Sequence, residues 1–134
     1  MLDTASMAAA ARAAYGPEEL EALAAYSDLY AALESCGLHP YVETRGGLAV
    51  CAYTADGSLI VVAGQDALPL RRQSLKGWHI THVPEDSPSP SWRCAVYDTV
   101  PQDPASEAAG SLALDEATGA VTAHLVACRA GAAA

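Results

Sequence analysis

The sequence contains no phenylalanine and only 7 basic residues, against 16 acidic ones. The resulting formal charge of −9 repels nucleic-acid phosphates and anionic membrane surfaces, so nucleic-acid binding is disfavoured. Without phenylalanine, the core has to be built from Leu, Val, Ile, Tyr and the two tryptophans. Solubility is the first explanation of the acidity, and a basic protein partner is the alternative.

Long hydrophobic runs and cysteine motifs are also absent. No run of about 18 apolar residues occurs, so we expect no membrane span. The start Met1-Leu2-Asp3-Thr4 carries an acid where a secretory signal needs a base, which predicts a cytoplasmic protein. The cysteines form no Cys-x-x-Cys pair, which favours reduced core residues over a zinc ribbon, a redox motif or disulfides: Cys36, Cys51, Cys94 and Cys128.

Catalytic motifs are not recognisable in the sequence. Gly-x-Ser-x-Gly, a P-loop and a dinucleotide fingerprint are all missing. His79 and His82 are three residues apart, and within a strand this spacing places them on opposite faces. We therefore predict no metal and no cofactor, and the sequence favours a non-catalytic protein while leaving a small enzyme as an alternative.

The length of 134 residues suits one hydrophobic core. Residues 1–14 are alanine-rich and are predicted to form an arm that is flexible or contacts a partner. Residues 15–130 are predicted to form a single α+β domain, followed by a tail at 131–134. The preference for arginine over lysine and the abundance of alanine are typical of GC-rich bacterial genomes.

One main helix is predicted between Gly16-Pro17-Glu18-Glu19, a helix start, and Gly37, a helix stop. Its apolar residues recur at helical spacing and predict a stripe that packs on a sheet: Ala22, Leu23, Tyr26, Leu29, Tyr30, Leu33 and Cys36. Glu21, Asp28 and Glu34 fall on the other side. This acidic outer face is a candidate surface for a basic partner.

Short β-like runs follow Gly37 and indicate an antiparallel meander. The predicted strands cover 40–45, 48–54, 58–63, 78–83 and 92–99, with a last hairpin of 111–114 and 120–128 around a turn at 115–119. Alternation groups Trp92, Cys94 and Val96 on one strand face and Arg93, Ala95 and Tyr97 on the other. The predicted fold class is α+β, with one main N-terminal helix packed on a curved antiparallel β-meander of about five to seven strands.

A local basic cluster departs from the overall charge. Arg71, Arg72 and Lys76 are followed by Trp78 and His79, and together they form a candidate ligand or anion site, because guanidinium groups bind carboxylate or phosphate bidentately. The favoured alternative is that the bases only pair with acids. Trp78 and Trp92 are both expected in the core, because a sheet without phenylalanine needs large side chains.

The leading functional hypothesis is a non-catalytic protein-binding or adaptor domain that acts as a homodimer through a sheet face or edge and the acidic helix. Its candidate partner-binding residues are Glu21, Asp28, Glu34, Glu85 and Asp86. A second hypothesis is a small-ligand protein or small enzyme with a pocket near the basic cluster. A third is an acidic inhibitor that mimics a nucleic acid.

Overall fold

The computed structural model describes residues 4–44, 47–54, 57–64, 67–69, 71, 74–83, 94–101, 110 and 112–133. Four helices and five strands occur in these residues. In chain order they are α1 (Thr4–Ala13), α2 (Pro17–Ala25), α3 (Ser27–Ser35), β1 (His39–Glu43), β2 (Ala49–Tyr53), β3 (Leu59–Ala63), β4 (His79–Val83), β5 (Cys94–Asp98) and α4 (Leu114–Ala133).

The five strands form one antiparallel sheet with the order β1-β2-β3-β4-β5, which is a simple meander. The predicted α+β class and the antiparallel sheet are confirmed, and the described strands number five. Gly47 and Gly57 lie between neighbouring strands with φ of 115° and 87°, a backbone conformation that side chains with a Cβ rarely adopt. Glycine therefore permits both hairpin connections.

The three central strands, β2, β3 and β4, bury side chains on both faces of the sheet. The first face carries the larger core cluster, in which α2, α3 and α4 cover Val50, Ala52, Ile60, Val62 and Ile80. The second face carries a smaller cluster that packs under α1: Ala8, Tyr41, Cys51, Tyr53, Leu59 and Val83. The alanine-rich segment predicted as an arm thus contains a helix, and Ala8 on it is fully buried.

The predicted main helix is two helices, and the expectation of one continuous helix is wrong. The chain leaves helical geometry at Tyr26, which has φ −120° and ψ 27°. The break lets the Tyr26 ring lie edge-on to Trp78, with 6.5 Å between ring centroids, and lets its hydroxyl donate to the Pro69 carbonyl at 2.5 Å. The predicted apolar stripe is nevertheless correct, since Tyr26 and Leu33 are each only 1% exposed.

The predicted C-terminal hairpin is also wrong, because residues 114–133 form α4. Asp115 and Glu116 occupy its first turn, where carboxylates favour the helix dipole. Ala117 and Val121 are four residues apart and buried on the sheet, so the apolar period is helical. No helix within the described residues, α4 included, combines the length and the hydropathy that a membrane crossing requires.

Strand β5 contains a bulge that changes its predicted alternation. Thr81 pairs with Ala95 but Ile80 pairs with Tyr97, so Val96 is an extra residue in β5. Val96 and Tyr97 consequently both pack against the first-face core. The prediction that Tyr97 shares a face with Ala95 is therefore wrong.

We expect Leu33→Ala to lower the free energy of unfolding by about 2–5 kcal/mol, because it removes a fully buried leucine from the first-face core. The matched control is Leu20→Ala on α2, where the side chain is 54% exposed and the change should stay within about 0.5 kcal/mol. Urea unfolding measures both. Equal losses in the two variants would mean that α3 does not pack on the sheet.

We expect Gly119→Ala to raise stability by about 0.5–1 kcal/mol, because Gly119 lies inside α4 with open space around its Cβ position. Gly57→Ala has equally open space but a φ of 87°, so it should destabilise the protein by about 1–2 kcal/mol. Thermal unfolding distinguishes the two signs. A destabilised Gly119→Ala variant would support a turn at 115–119 instead of the helix.

Candidate functional site

A cleft of about 280 Å³ opens on the second face, between the end of α1, the start of α2 and strands β1 and β2. Its polar and aromatic lining consists of Tyr15, Glu19, Tyr41, Glu43, Thr44 and Tyr53. Ala11 and Ala14 contribute small side chains on the α1 side. The cleft is therefore small, aromatic and acidic.

Strand geometry places the aromatic and acidic groups of the cleft together. Alternation along β1 directs Tyr41 and Glu43 to the same face. Tyr53 is the diagonal neighbour of Tyr41 on β2, and their rings stack with 5.4 Å between centroids and 28° between planes. On the α2 side, Glu19 Oε1 accepts a hydrogen bond from Thr44 Oγ1 at 3.3 Å.

Two tyrosine hydroxyls satisfy backbone groups of β1, which is an edge strand. Tyr15 Oη accepts a hydrogen bond from the Val42 amide at 2.6 Å, and Tyr30 Oη donates to the Pro40 carbonyl at 2.8 Å. Arg12 Nη1 in turn donates to Tyr30 Oη at 3.2 Å. A strand added here would have to displace both hydroxyls, so this edge is protected from pairing.

Burial keeps two tyrosines and a cysteine of the second face in their neutral forms. It raises the pKa of Tyr15 and that of Tyr41 far above the ordinary phenol value, because both rings are withdrawn from solvent. Burial also raises the pKa of the Cys51 thiol to about 12. These groups stay neutral at physiological pH, so the formal negative charge of the cleft is carried by Glu19 and Glu43.

A second cluster of polar side chains lies on the first face, where β4, β5 and α4 meet. His82 pairs directly with Cys94 across the two strands, so both point to the same face. His124 comes from α4, seven residues after the buried Ala117, and therefore also faces the sheet. One ligand atom from each of these three residues lies within 4.8 Å of the others.

A hydrogen-bonded chain connects this cluster to the β2–β3 connection. His82 Nδ1 lies 3.0 Å from His124 Nε2, and His82 Nε2 lies 2.7 Å from Ser58 Oγ. Ser58 Oγ is 2.7 Å from Thr54 Oγ1. The His82 side chain is only 2% exposed, so its ring is held between these partners.

The Ser58 hydroxyl and the imidazoles of His82 and His124 form a chain that resembles the catalytic relay of acyl-transfer enzymes. The surroundings of Ser58 nevertheless differ from such a site. A nucleophilic serine needs space for a carbonyl substrate and amide donors for the oxyanion. Ser58 is 7% exposed, and its hydroxyl is shared with Thr54. The cleft opens on the second face, whereas Ser58 bonds to His82 on the first. The arrangement therefore fits a fixed imidazole better than an attacking serine.

The predicted basic cluster is spread over different environments. The side chains of Arg71 and Lys76 are exposed, and Arg72 lies outside the described residues. Trp78 is fully buried in the first-face core, which confirms its expected core position. His79 faces the other side of the sheet, where its Nδ1 lies 3.4 Å from Asp98 Oδ2. Anion binding by the bases stays a prediction.

The predicted acidic surface is divided between two helices. Glu21 is exposed on α2, while Asp28 and Glu34 are exposed on α3. Glu85, Asp86 and Trp92 lie outside the described residues. Binding of a basic partner by these carboxylates stays a prediction.

Sequence reasoning missed the cleft and the histidine–cysteine cluster. The cleft depends on α1 folding back over β1, and the alanine pattern of α1 carries little signal of that packing. The sequence predicts a strand at 120–128, and a strand there does not bring His124 to His82. Ala117, Val121 and His124 do share a helical period, and this signal could have placed the histidine on the inner face.

No protein-family model matches the chain, and comparisons with curated proteins and with solved structures find no significant similarity. Function therefore has to be argued from the geometry of the two sites.

We expect stability to fall as the pH rises above about 10, the pKa of a tyrosine in the unfolded chain. The raised pKa values of Tyr15 and Tyr41 mean that folding favours the neutral phenols, a contribution fully present below pH 10 and lost at higher pH. Cys51 adds a loss of the same sign from about pH 9. Tyr41→Phe should flatten the decline in urea unfolding between pH 9 and pH 11. Equal slopes in the parent protein and in Tyr41→Phe would contradict the burial of Tyr41.

Proposed function

We propose that this protein is a non-catalytic binding domain that accepts a basic side chain of a protein partner in the cleft of the second face. The observation that best supports this function is the lining of the cleft. Three tyrosines and two glutamates surround a space of about 280 Å³, in a chain with a formal charge of −9. Such a space holds one long side chain.

The chemistry of the lining suits lysine or arginine. A guanidinium or ammonium group is attracted to the faces of aromatic rings, and the stacked Tyr41 and Tyr53 provide such faces. Glu19 and Glu43 add carboxylate acceptors, which a guanidinium can bind bidentately. The aliphatic stem of the incoming residue would pack on the tyrosine rings and on Ala14.

Arg12, a base at the end of α1, is engaged elsewhere. Arg12 donates to the Tyr30 hydroxyl at the β1 edge. The exposed carboxylates of Glu21, Asp28 and Glu34 add to a negative field that would speed the approach of a basic partner. One cationic contact contributes only about 0.5–2 kcal/mol, so a stable complex needs further contacts around the cleft. A protein partner can supply them.

A small organic cation is the second candidate ligand, because the same lining would bind it. Cavities for drug-sized ligands are roughly 300–1,000 Å³, and this cleft is slightly smaller than that range. An amine or guanidine of a few heavy atoms would fit. The two candidates differ in what the residues that flank a basic side chain contribute. They add affinity if the ligand is a protein partner, and they add none if it is a small cation.

The test compares N-acetyl-arginine amide with N-acetyl-citrulline amide, which has nearly the same shape without the charge. We expect the arginine compound to shift the ring resonances of Tyr41 and Tyr53 in NMR titrations, and the citrulline compound to shift them little. Glu43→Gln should weaken arginine binding about two- to fivefold, through loss of one partly exposed ion pair. Asp115→Asn, in the first turn of α4 on the other face of the sheet, is the matched control and should bind as the parent does.

A second titration separates the two candidates. A pentapeptide with one arginine between alanines should bind more tightly than N-acetyl-arginine amide if the cleft serves a protein partner. Equal affinities would support a small cation instead. Absence of saturable shifts at Tyr41 and Tyr53 with either compound would reject the cleft as a cation site.

A further inference from the structure

We propose that His82, Cys94 and His124 form a binding site for one divalent transition-metal ion, with zinc as the best match. The site lies on the first face of the sheet and is independent of the cleft. It is built from three elements, since His82 comes from β4, Cys94 from β5 and His124 from α4.

The spacing of the donor atoms is close to what zinc requires. In a tetrahedral site with Zn–N of about 2.0–2.1 Å, two imidazole nitrogens lie roughly 3.3 Å apart, and a thiolate lies roughly 3.6 Å from each. His82 Nδ1 and His124 Nε2 are 3.0 Å apart. The third ligand atom, Cys94 Sγ, is within 4.8 Å of one ring nitrogen of each histidine. Zinc binding requires the Cys94 thiol to lie roughly 3.6 Å from each nitrogen, against the present upper limit of 4.8 Å.

A partner outside the cluster already orients the buried ligand. When Ser58 Oγ accepts from His82 Nε2–H at 2.7 Å and donates to Thr54 Oγ1, the lone pair of His82 Nδ1 faces His124. Hydrogen bonds of this kind fix the tautomer of metal-binding histidines. Without metal, His124 Nε2–H can donate to that lone pair. A metal ion would take the place of this proton. His124 would then bind the ion through Nε2 and carry its own proton on Nδ1.

The donor set selects the class of ion. Two imidazoles and one thiolate suit zinc, cobalt or copper, whereas magnesium and calcium prefer oxygen ligands. Binding converts the Cys94 thiol to a thiolate and releases one proton to solvent. Three protein ligands leave a fourth position for water or another donor. The formal charge of −9 also favours capture of a cation.

A bound ion would connect the last helix to the sheet. Besides His124, the side chains by which α4 is buried on the sheet include Ala117 and Val121, which are small. Three metal bonds between β4, β5 and α4 would add a contact that the unfolded chain does not make. Metal binding should therefore stabilise the fold.

The experiment uses tag-free protein that has been stripped with a chelator and dialysed. Zinc is titrated in competition with a chromophoric chelator, and cobalt serves as the spectroscopic probe. We expect one zinc ion per chain, a thiolate-to-cobalt charge-transfer band in the near ultraviolet, and a melting temperature that rises with zinc but not with magnesium.

Two pairs of variants assign the ligands. Cys94→Ser should abolish the charge-transfer band, and Cys94→Ser and His124→Ala should each weaken zinc binding by about tenfold or more, since even loss of an outer partner of a ligand costs that much. Both positions are only partly buried, so the variants should fold. Cys36→Ser and His79→Ala remove the same residue types outside the cluster and should bind zinc as the parent does.

The decisive comparison is made on metal-free proteins that melt cooperatively. If the parent protein binds no stoichiometric zinc, or if Cys94→Ser and His124→Ala bind it as tightly as the parent, the cluster is only a hydrogen-bonded part of the core and the proposal is wrong. A zinc-dependent rise in melting temperature in the parent and in both controls, but not in the two ligand variants, supports it.

Discussion

The central strands of the sheet bury side chains on both faces, and the positions of the helices follow from this constraint. In β2, Val50 and Ala52 point to the first face while Cys51 and Tyr53 point to the second, and all four are buried. A strand of this kind cannot leave either face to water without exposing a large apolar area. The longer helical layer covers the first face, and α1 returns over the second.

This constraint also creates the two candidate sites. Where α1 ends over β1 and β2, its small alanines leave room beside the tyrosines, and the cleft opens there. On the first face, α4 crosses strands that carry a histidine and a cysteine among apolar neighbours. Each site forms at the margin of a helix–sheet contact, where packing no longer fills the space with apolar side chains and polar groups are brought together.

The elements with strong local signals were predictable from the sequence, and those that depend on distant contacts were not. All five described strands lie at predicted positions, because alternating apolar residues and flanking turn residues act within a few positions. At the break, Tyr26 contacts Trp78, some fifty residues later in the chain, and no local pattern indicates such a contact. Gly119 suggested a turn, but burial of Ala117 and Val121 on the sheet stabilises the helix that contains it. Likewise, the approach of His124 to His82 follows from the docking of α4, which no local pattern specifies.

The tyrosine hydroxyls on β1 affect how this protein can associate. An uncovered outer strand is a template on which other chains extend a sheet, and such growth leads to fibres or strand-exchanged assemblies. Here the Pro40 carbonyl and the Val42 amide are already bonded to side chains of the same molecule. Sheet growth from the β1 edge is therefore inhibited by the fold itself.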